Sequence, residues 1–415
     1  MFVLNSDSIP PSLPSPATLR RSVQLLLNAA HALDHLVLLI FASAVSLIAI
    51  DLGIDRWEDL MPYTTGAFLM FGLCSIPAGR LGDLWGRRKS MLLFFFGTSA
   101  SCFLVALSQE SWHLAVSLTV LGIFASIYHP VGIPMLLRHT DRPGAAIGWN
   151  NLAGNLGVAL AALITGITVS LAGWRAAFVL PGLLALLLGF AFMRLAPPET
   201  ASPAKQKQQG DPAPFVFNGD CKRALIVMTL AACASSILFN FTTNSNTELF
   251  KVKLDGLLES PAQIGIVLAL LYAIAGVSQV IMGRLTDRFP IRPLFLGVVS
   301  LQVFFLLLAA FAEGWLFYAA GLGFMAAIFG AIPFSDVIMV RFIDDRLRSR
   351  VAGMRLGISF FVGSAAVFLL GPVVKAIGFE LTLLGLAVIA CLTLLVVTRL
   401  PAVPRVLNLA AQPSL

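Results

Sequence analysis

Long apolar stretches, separated by short polar turns, run through this chain almost from end to end. An α-helix needs about 20 apolar residues to cross a bilayer core of about 30 Å. On that measure the pattern predicts helices over roughly 22–50, 60–81, 90–108, 112–137, 144–171 and 174–195. A second set follows over roughly 223–247, 261–284, 293–312, 315–340, 350–376 and 379–399. One long polar stretch interrupts the series. Residues 196–222, opening Ala196-Pro197-Pro198-Glu199-Thr200, have the composition of a flexible linker. The expected organisation is therefore a six-helix bundle at 22–195, a linker at 196–222 and a second six-helix bundle at 223–399. Short tails at 1–21 and 400–415 complete it.

Composition agrees with a membrane class. The chain has 415 residues, 58% hydrophobic and 12% charged, with mean hydropathy +0.89. A soluble protein carries roughly twice that share of charge. The net charge of +7 does not point to nucleic acid, because the charges sit in short loops between apolar segments. They read as a topology signal instead. With twelve crossings, Arg80, Arg87, Arg88, Lys89, Arg138, Arg142, Arg284, Arg288, Arg341 and Arg399 fall on the face of both termini. The other face holds Arg56, Arg175, Lys251, Lys253 and Lys375. Cytoplasmic loops retain Lys and Arg, so both termini are expected in the cytoplasm of a multi-pass inner-membrane protein. The five cysteines show neither metal nor disulfide spacing. No cleavable signal peptide is expected, because residues 1–19 are polar and rich in Pro and Ser.

The chain repeats itself. Gly79-Arg80-Leu81-Gly82-Asp83 follows the second apolar stretch, and Gly283-Arg284-Leu285-Thr286-Asp287 follows the eighth, 204 residues later. Asp141-Arg142 and Asp345-Arg346 match at the same offset. A parallel duplication of a six-helix unit explains both, and such duplications build many secondary transporters around a central site.

Gly79-Arg80-Leu81-Gly82-Asp83-Leu84-Trp85-Gly86-Arg87-Arg88-Lys89 resembles the signature loop of the major facilitator superfamily, and 283–292 resembles its degenerate partner. Tyr128-His129-Pro130, Ala153-Gly154-Asn155-Leu156-Gly157 and a first helix carrying His31 and Asp34 resemble the fosmidomycin-resistance-like branch. The resemblance implies an all-α polytopic fold of two pseudo-symmetric six-helix bundles, with helices 1, 4, 7 and 10 lining a cavity. It implies a conformational gate at Gly79, Asp83, Gly86, Arg87, Arg88, Gly283, Asp287 and Arg288. Some family features are absent. Leu84 stands where a basic residue is usual, Leu118 where proton-coupled members often carry Arg, and Ala161-Ala162 where drug antiporters often carry Gly-Pro.

Candidate chemistry lies inside the apolar segments. His31, Asp34 and His35 share one side of the first helix, by offsets of three and four. A carboxylate beside imidazoles binds protons near neutral pH, and intramembrane acids tend to be functional. The bland alternative places this cluster in the membrane interface. His129 precedes a helix-bending proline and is a cavity candidate. Asn151 and Asn155 share a face of the fifth helix; Asn240 and Asn244 do so on the seventh. The bland reading of each is an interhelical bridge. Asp336 is a second membrane acid, with Arg341 and Arg355 as structural partners if it is not a transport residue.

No Walker-type phosphate loop is found, so an ion gradient is the expected driver. The leading expectation is a non-enzymatic, monomeric secondary transporter with no cofactor and no resident metal. It would exchange a small organic compound or drug for protons, as an efflux antiporter. A second reading is transport of a metal ion or metal chelate, since His31 and His35 have a ligand spacing to which Asp34 and His129 could add. A third is uptake of a small metabolite. A polytopic membrane enzyme is disfavoured by the duplication.

Overall fold

The computed structural model describes residues 16–198, 219–343 and 345–401. The expected linker and tails lie largely outside these residues. Among the described residues every regular element is helical.

The helices are α1 (Pro16–Asp51), α2 (Trp57–Trp85), α3 (Arg87–Ala106), α4 (Ser111–Arg138), α5 (Pro143–Ala172) and α6 (Trp174–Leu195). Then come α7 (Gly219–Lys253), α8 (Pro261–Arg288), α9 (Ile291–Phe311) and α10 (Gly314–Phe342). The last apolar stretch, Val351–Val397, is helical over 47 residues. A straight helix of that length would reach ~70 Å, more than twice a bilayer core. It breaks at Gly378, where φ is 74° and ψ is 174°. Only glycine takes that conformation readily. The break separates α11 (345–377) from α12 (379–397), so twelve segments cross, as the pattern predicts. Two boundaries differ from expectation. α1 starts at Pro16 rather than near 22, because proline suits a helix's first turn and no breaker follows it. α7 starts at Gly219, inside the expected linker.

Large apolar side chains such as Leu171, Leu187 and Leu395 stay exposed around the outside, as lipid-facing residues do. Trp112 and Trp315 are exposed at the starts of α4 and α10, and Trp85 and Trp149 near the other ends of the bundle. That is the placement of interfacial anchors.

Close helix crossings rely on glycine. A Cβ on Gly157 of α5 would lie 2.1 Å from the Ala32 carbonyl oxygen of α1. A Cβ on Gly122 of α4 would lie 2.1 Å from the Ala67 carbonyl of α2. Small residues at such crossings replace the missing hydrophobic drive between helices in lipid with close packing.

The first six helices meet the last six mainly through α5 against α8 and α2 against α11. Contact is tight on the face away from the basic loops. There Trp57 stacks on Phe379 with centroids 6.1 Å apart, and Lys375 Nζ donates to Asp59 Oδ2 at 2.7 Å. A Cβ on Gly371 would lie 2.0 Å from the Glu58 carbonyl. The Ala262 N–H donates to Ser170 Oγ at 3.2 Å. Toward the basic face the two sets of helices separate. Gly144, Gly148, Gly283, Gly353 and Gly357 have open space where a Cβ would project, and Trp149 is 65% exposed.

Replacing Gly157 with Leu is expected to cost roughly 1–3 kcal/mol or more through overpacking at α1–α5. The apparent melting temperature in detergent should fall. Gly385→Leu, at a glycine with nothing within 4 Å of its Cβ position, should leave it unchanged.

Candidate functional site

Between the two sets of helices lies a cavity of about 250 Å³. Its wall is largely apolar and comes from α1, α2, α7, α10 and α11. α4 does not reach the wall directly, which corrects the expected set of helices 1, 4, 7 and 10. α2 and α11 take its place, because Phe71 and Phe360 meet edge to face at 5.2 Å across the cavity. Polar groups are sparse: His35, Asn240, Thr243, the Asp336–Arg355 pair and the serines of α7, α10 and α11.

Behind His35 the structure gathers four titratable side chains from two helices. His31 and His35 approach through their Nε2 atoms at 3.2 Å. His129 stands edge-on to His31, with centroids 5.0 Å apart. Asp34 is fully buried, and neither of its oxygens has a hydrogen-bond partner. His129 Nε2 lies 3.4 Å from Asp34 Oδ2, an ion-pair distance without hydrogen-bond geometry. A buried carboxylate in that position is costly to keep charged without a proton or a protonated neighbour. His129 is the neighbour within reach.

The backbone explains why His129 arrives there. Pro130 has no N–H, so the ladder of α4 cannot continue past it unchanged. The helix opens into a wide π-type turn at Tyr128–Gly132, a form often found at functional positions. Tyr128 then faces α1 and α5. Its hydroxyl donates to the Leu27 carbonyl at 2.9 Å and accepts from Asn150 Nδ2 at 2.7 Å. His31 stacks on the Tyr128 ring at 4.8 Å. The Asn150 carbonyl accepts from His31 Nδ1 at 2.7 Å, and Asn150 Nδ2 also donates to Asn28 Oδ1 at 2.9 Å.

The structure therefore brings His31, Asp34, His35 and His129 together and separates the other candidates. Asn151 is exposed on α5 with no described contact to the cluster. Its neighbour Asn150 is the buried one, because the face of α5 against α1 runs through 150, 154 and 157. Asn155 lies outside the cavity wall and donates to Gln279 Oε1 of α8 at 2.6 Å, so it bridges the two sets of helices. Asn240 lines the cavity. Asn244 does not: it is 1% exposed, and its Nδ2 donates one turn back to the Asn240 carbonyl. Asp336 lines the cavity and accepts from Arg355 at 2.7 Å, while Arg341 donates to the Thr286 carbonyl instead.

The two gate loops differ. Gly79 packs near Pro130, and Gly86 carries a positive φ of 94° between α2 and α3. Arg87 donates to the Pro134 carbonyl at 3.3 Å and lies 3.9 Å from Asp83. Arg88 donates to the Ala196 carbonyl at 2.8 Å and to that of Met193, at the end of α6. Among the described residues no backbone N–H of a neighbouring helix N-terminus donates to Asp83. In the second loop a Cβ on Gly283 would meet open space, and Asp287 and Arg288 are exposed with no ion pair among the described residues. Arg355 takes the expected place of a structural partner to Asp336, while Asn28 and Asn150 lie outside the expected set of site residues. Only the preference of long-range side-chain pairing for buried amides could have signalled them.

The sequence profile of the Major Facilitator Superfamily matches residues 27–258. Over 150 residues the chain is 31% identical to the tetracenomycin C resistance and export protein of Streptomyces glaucescens, covering 34% of this chain and 28% of that one. Over 172 residues it is 24% identical to a probable hexose phosphate transport protein of Chlamydia muridarum, covering 40% and 38%. The matched stretches thus span about a third of these relatives. The fold is similar to the crystal structure of a bacterial homologue of the human lysosomal transporter Spinster, described as inward-facing and unoccupied. The TM-score is 0.70 at 16% identity, covering 92% of this chain and 95% of that one. With more than half of its length matched by the family profile, this chain belongs to the Major Facilitator Superfamily.

Proposed function

We propose that the protein is a secondary active transporter that works by alternating access and couples proton entry to export of a small, mainly apolar organic compound. The observation that carries this reading is a central cavity, shut on one face and flanked in its wall by a buried carboxylate–imidazole cluster. By the distribution of Lys and Arg, the open, basic face is cytoplasmic, so this conformation receives substrate from inside. Trp57–Phe379 and Asp59–Lys375 form the seal toward the outside. Transport requires that seal to part and the basic loops to close, with the loops at Gly79–Lys89 and Gly283–Arg288 as the gate. Rocking of one six-helix unit against the other supplies the motion. The proton would sit on Asp34 or on His129 beside it. Proton transfer across 3.4 Å moves charge within the bundle without exposing it to lipid. The export protein among the relatives supports outward drug movement. Uptake of an anionic metabolite is the second reading, favoured by Arg355 at the cavity and by the hexose phosphate relative.

In an efflux-deficient bacterium, the protein is expected to raise tolerance to at least one compound in an antibiotic panel that includes fosmidomycin. Asp34→Asn at equal expression should return tolerance to the vector level, and should abolish substrate-driven proton flux in proteoliposomes. Protection retained by Asp34→Asn would remove Asp34 from the mechanism. A cysteine-free variant carrying Asp59→Cys and Lys375→Cys tests the seal. A bifunctional thiol cross-linker should stop transport, and cleaving the linker should restore it; undiminished transport by the cross-linked protein would exclude alternating access through this face.

A further inference from the structure

We infer that His31, His35 and His129, completed by the Asp34 carboxylate, form a binding site for one divalent first-row transition metal ion of the zinc class. One ligand atom from each histidine lies within 4.8 Å of the others. Zinc–imidazole bonds of about 2.0–2.1 Å place two ligand atoms of a tetrahedral site roughly 3.3 Å apart. The His31 and His35 Nε2 atoms already stand 3.2 Å apart. Moving the nitrogen of the third ring inward by about 1.5 Å closes the set, and His129 lies in the wide turn of α4, where the backbone is not held by a regular ladder.

Three further features favour an ion over a closed hydrogen-bond network. The Asn150 carbonyl only accepts, so His31 Nδ1 carries the proton and its Nε2 lone pair faces the other rings. Fixing a histidine's tautomer from behind in this way is the usual outer support of a metal ligand. The His31–His35 contact then needs a proton on His35 Nε2; a shift of that proton to Nδ1 of the same ring frees both nitrogens without changing the charge. Finally, both Asp34 oxygens are buried without a donor, so this carboxyl group ionises only when a cation joins it. Three neutral imidazoles and one carboxylate suit zinc-class ions, and the cluster contains no thiolate to select softer metals. His35 lines the cavity and gives the ion a route in.

This inference rests on the geometry of the cluster and not on the export reading; drug protection without zinc binding, or the reverse, separates the two. The test uses full-length protein purified without a histidine tag and zinc chloride at fixed neutral pH, read by equilibrium dialysis and calorimetry. One zinc per chain is expected. His129→Gln and His35→Gln should each weaken it at least roughly tenfold, the scale of losses around metal sites. Asn240→Ala, in the cavity but outside the cluster, should not. Elution profile and metal-free melting temperature check that the variants fold. Absorption spectroscopy at the zinc edge of the unmutated protein should show imidazole nitrogens and one oxygen, and it decides the question if a variant does not fold. Absence of stoichiometric zinc, affinity unchanged from the unmutated protein in both histidine variants, or sulfur ligation would overturn the site.

Discussion

The crossing of α1 and α5 is the contact on which the candidate site depends. Gly157 lets the two backbones touch at Ala32, and Gly154 lies beneath the His31 ring, where a Cβ would sit 2.7 Å from Cε1. At that separation the Asn150 carbonyl reaches His31 and its amide reaches Asn28 and Tyr128. Lipid offers helices no hydrophobic reason to associate, so close packing and interhelical hydrogen bonds must hold them. Here the same few residues provide both.

That constraint ties stability to the cluster. An acid with no hydrogen bond inside a helix bundle is tolerable only where its surroundings supply a proton or a cation. The π-type turn around Pro130 brings His129 to Asp34, and the α1–α5 crossing holds His31 in one tautomer. A regular α4 would carry residue 129 to a different angle and leave Asp34 without a partner. The wide turn thus trades local helix regularity for a carboxylate–imidazole contact beside the cavity.

The two ends of the bundle are unlike. One is closed by an aromatic stack, an ion pair and backbone contact; the other is open and lined with arginines. α5 and α8 stay joined midway through Asn155 and Gln279, close to where the helices part. The gate loops share a sequence but not their contacts: the first is fixed to α4 and α6 through Arg87 and Arg88, while the second is held to α10 where Arg341 donates to the Thr286 carbonyl, with Asp287 and Arg288 exposed.

Hydrophobic length and the spacing of Gly79–Asp83 and Gly283–Asp287 sufficed to establish twelve helices and an internal duplication, because both are properties of segments about 20 residues long. They also placed His31, Asp34 and His35 on one side of α1, since helical period alone decides that. Which asparagine of α5 meets α1 was not legible: the four-residue spacing of Asn151 and Asn155 does not reveal that α1 packs on the face of Asn150, nor that Asn155 takes its alternative role as a bridge to α8. Nor could α1 alone indicate that its imidazoles meet His129, almost a hundred residues away. Local periodicity fixes which residues share a face. Only the packing of helices distant in sequence decides which faces meet, and therefore which polar groups share a site.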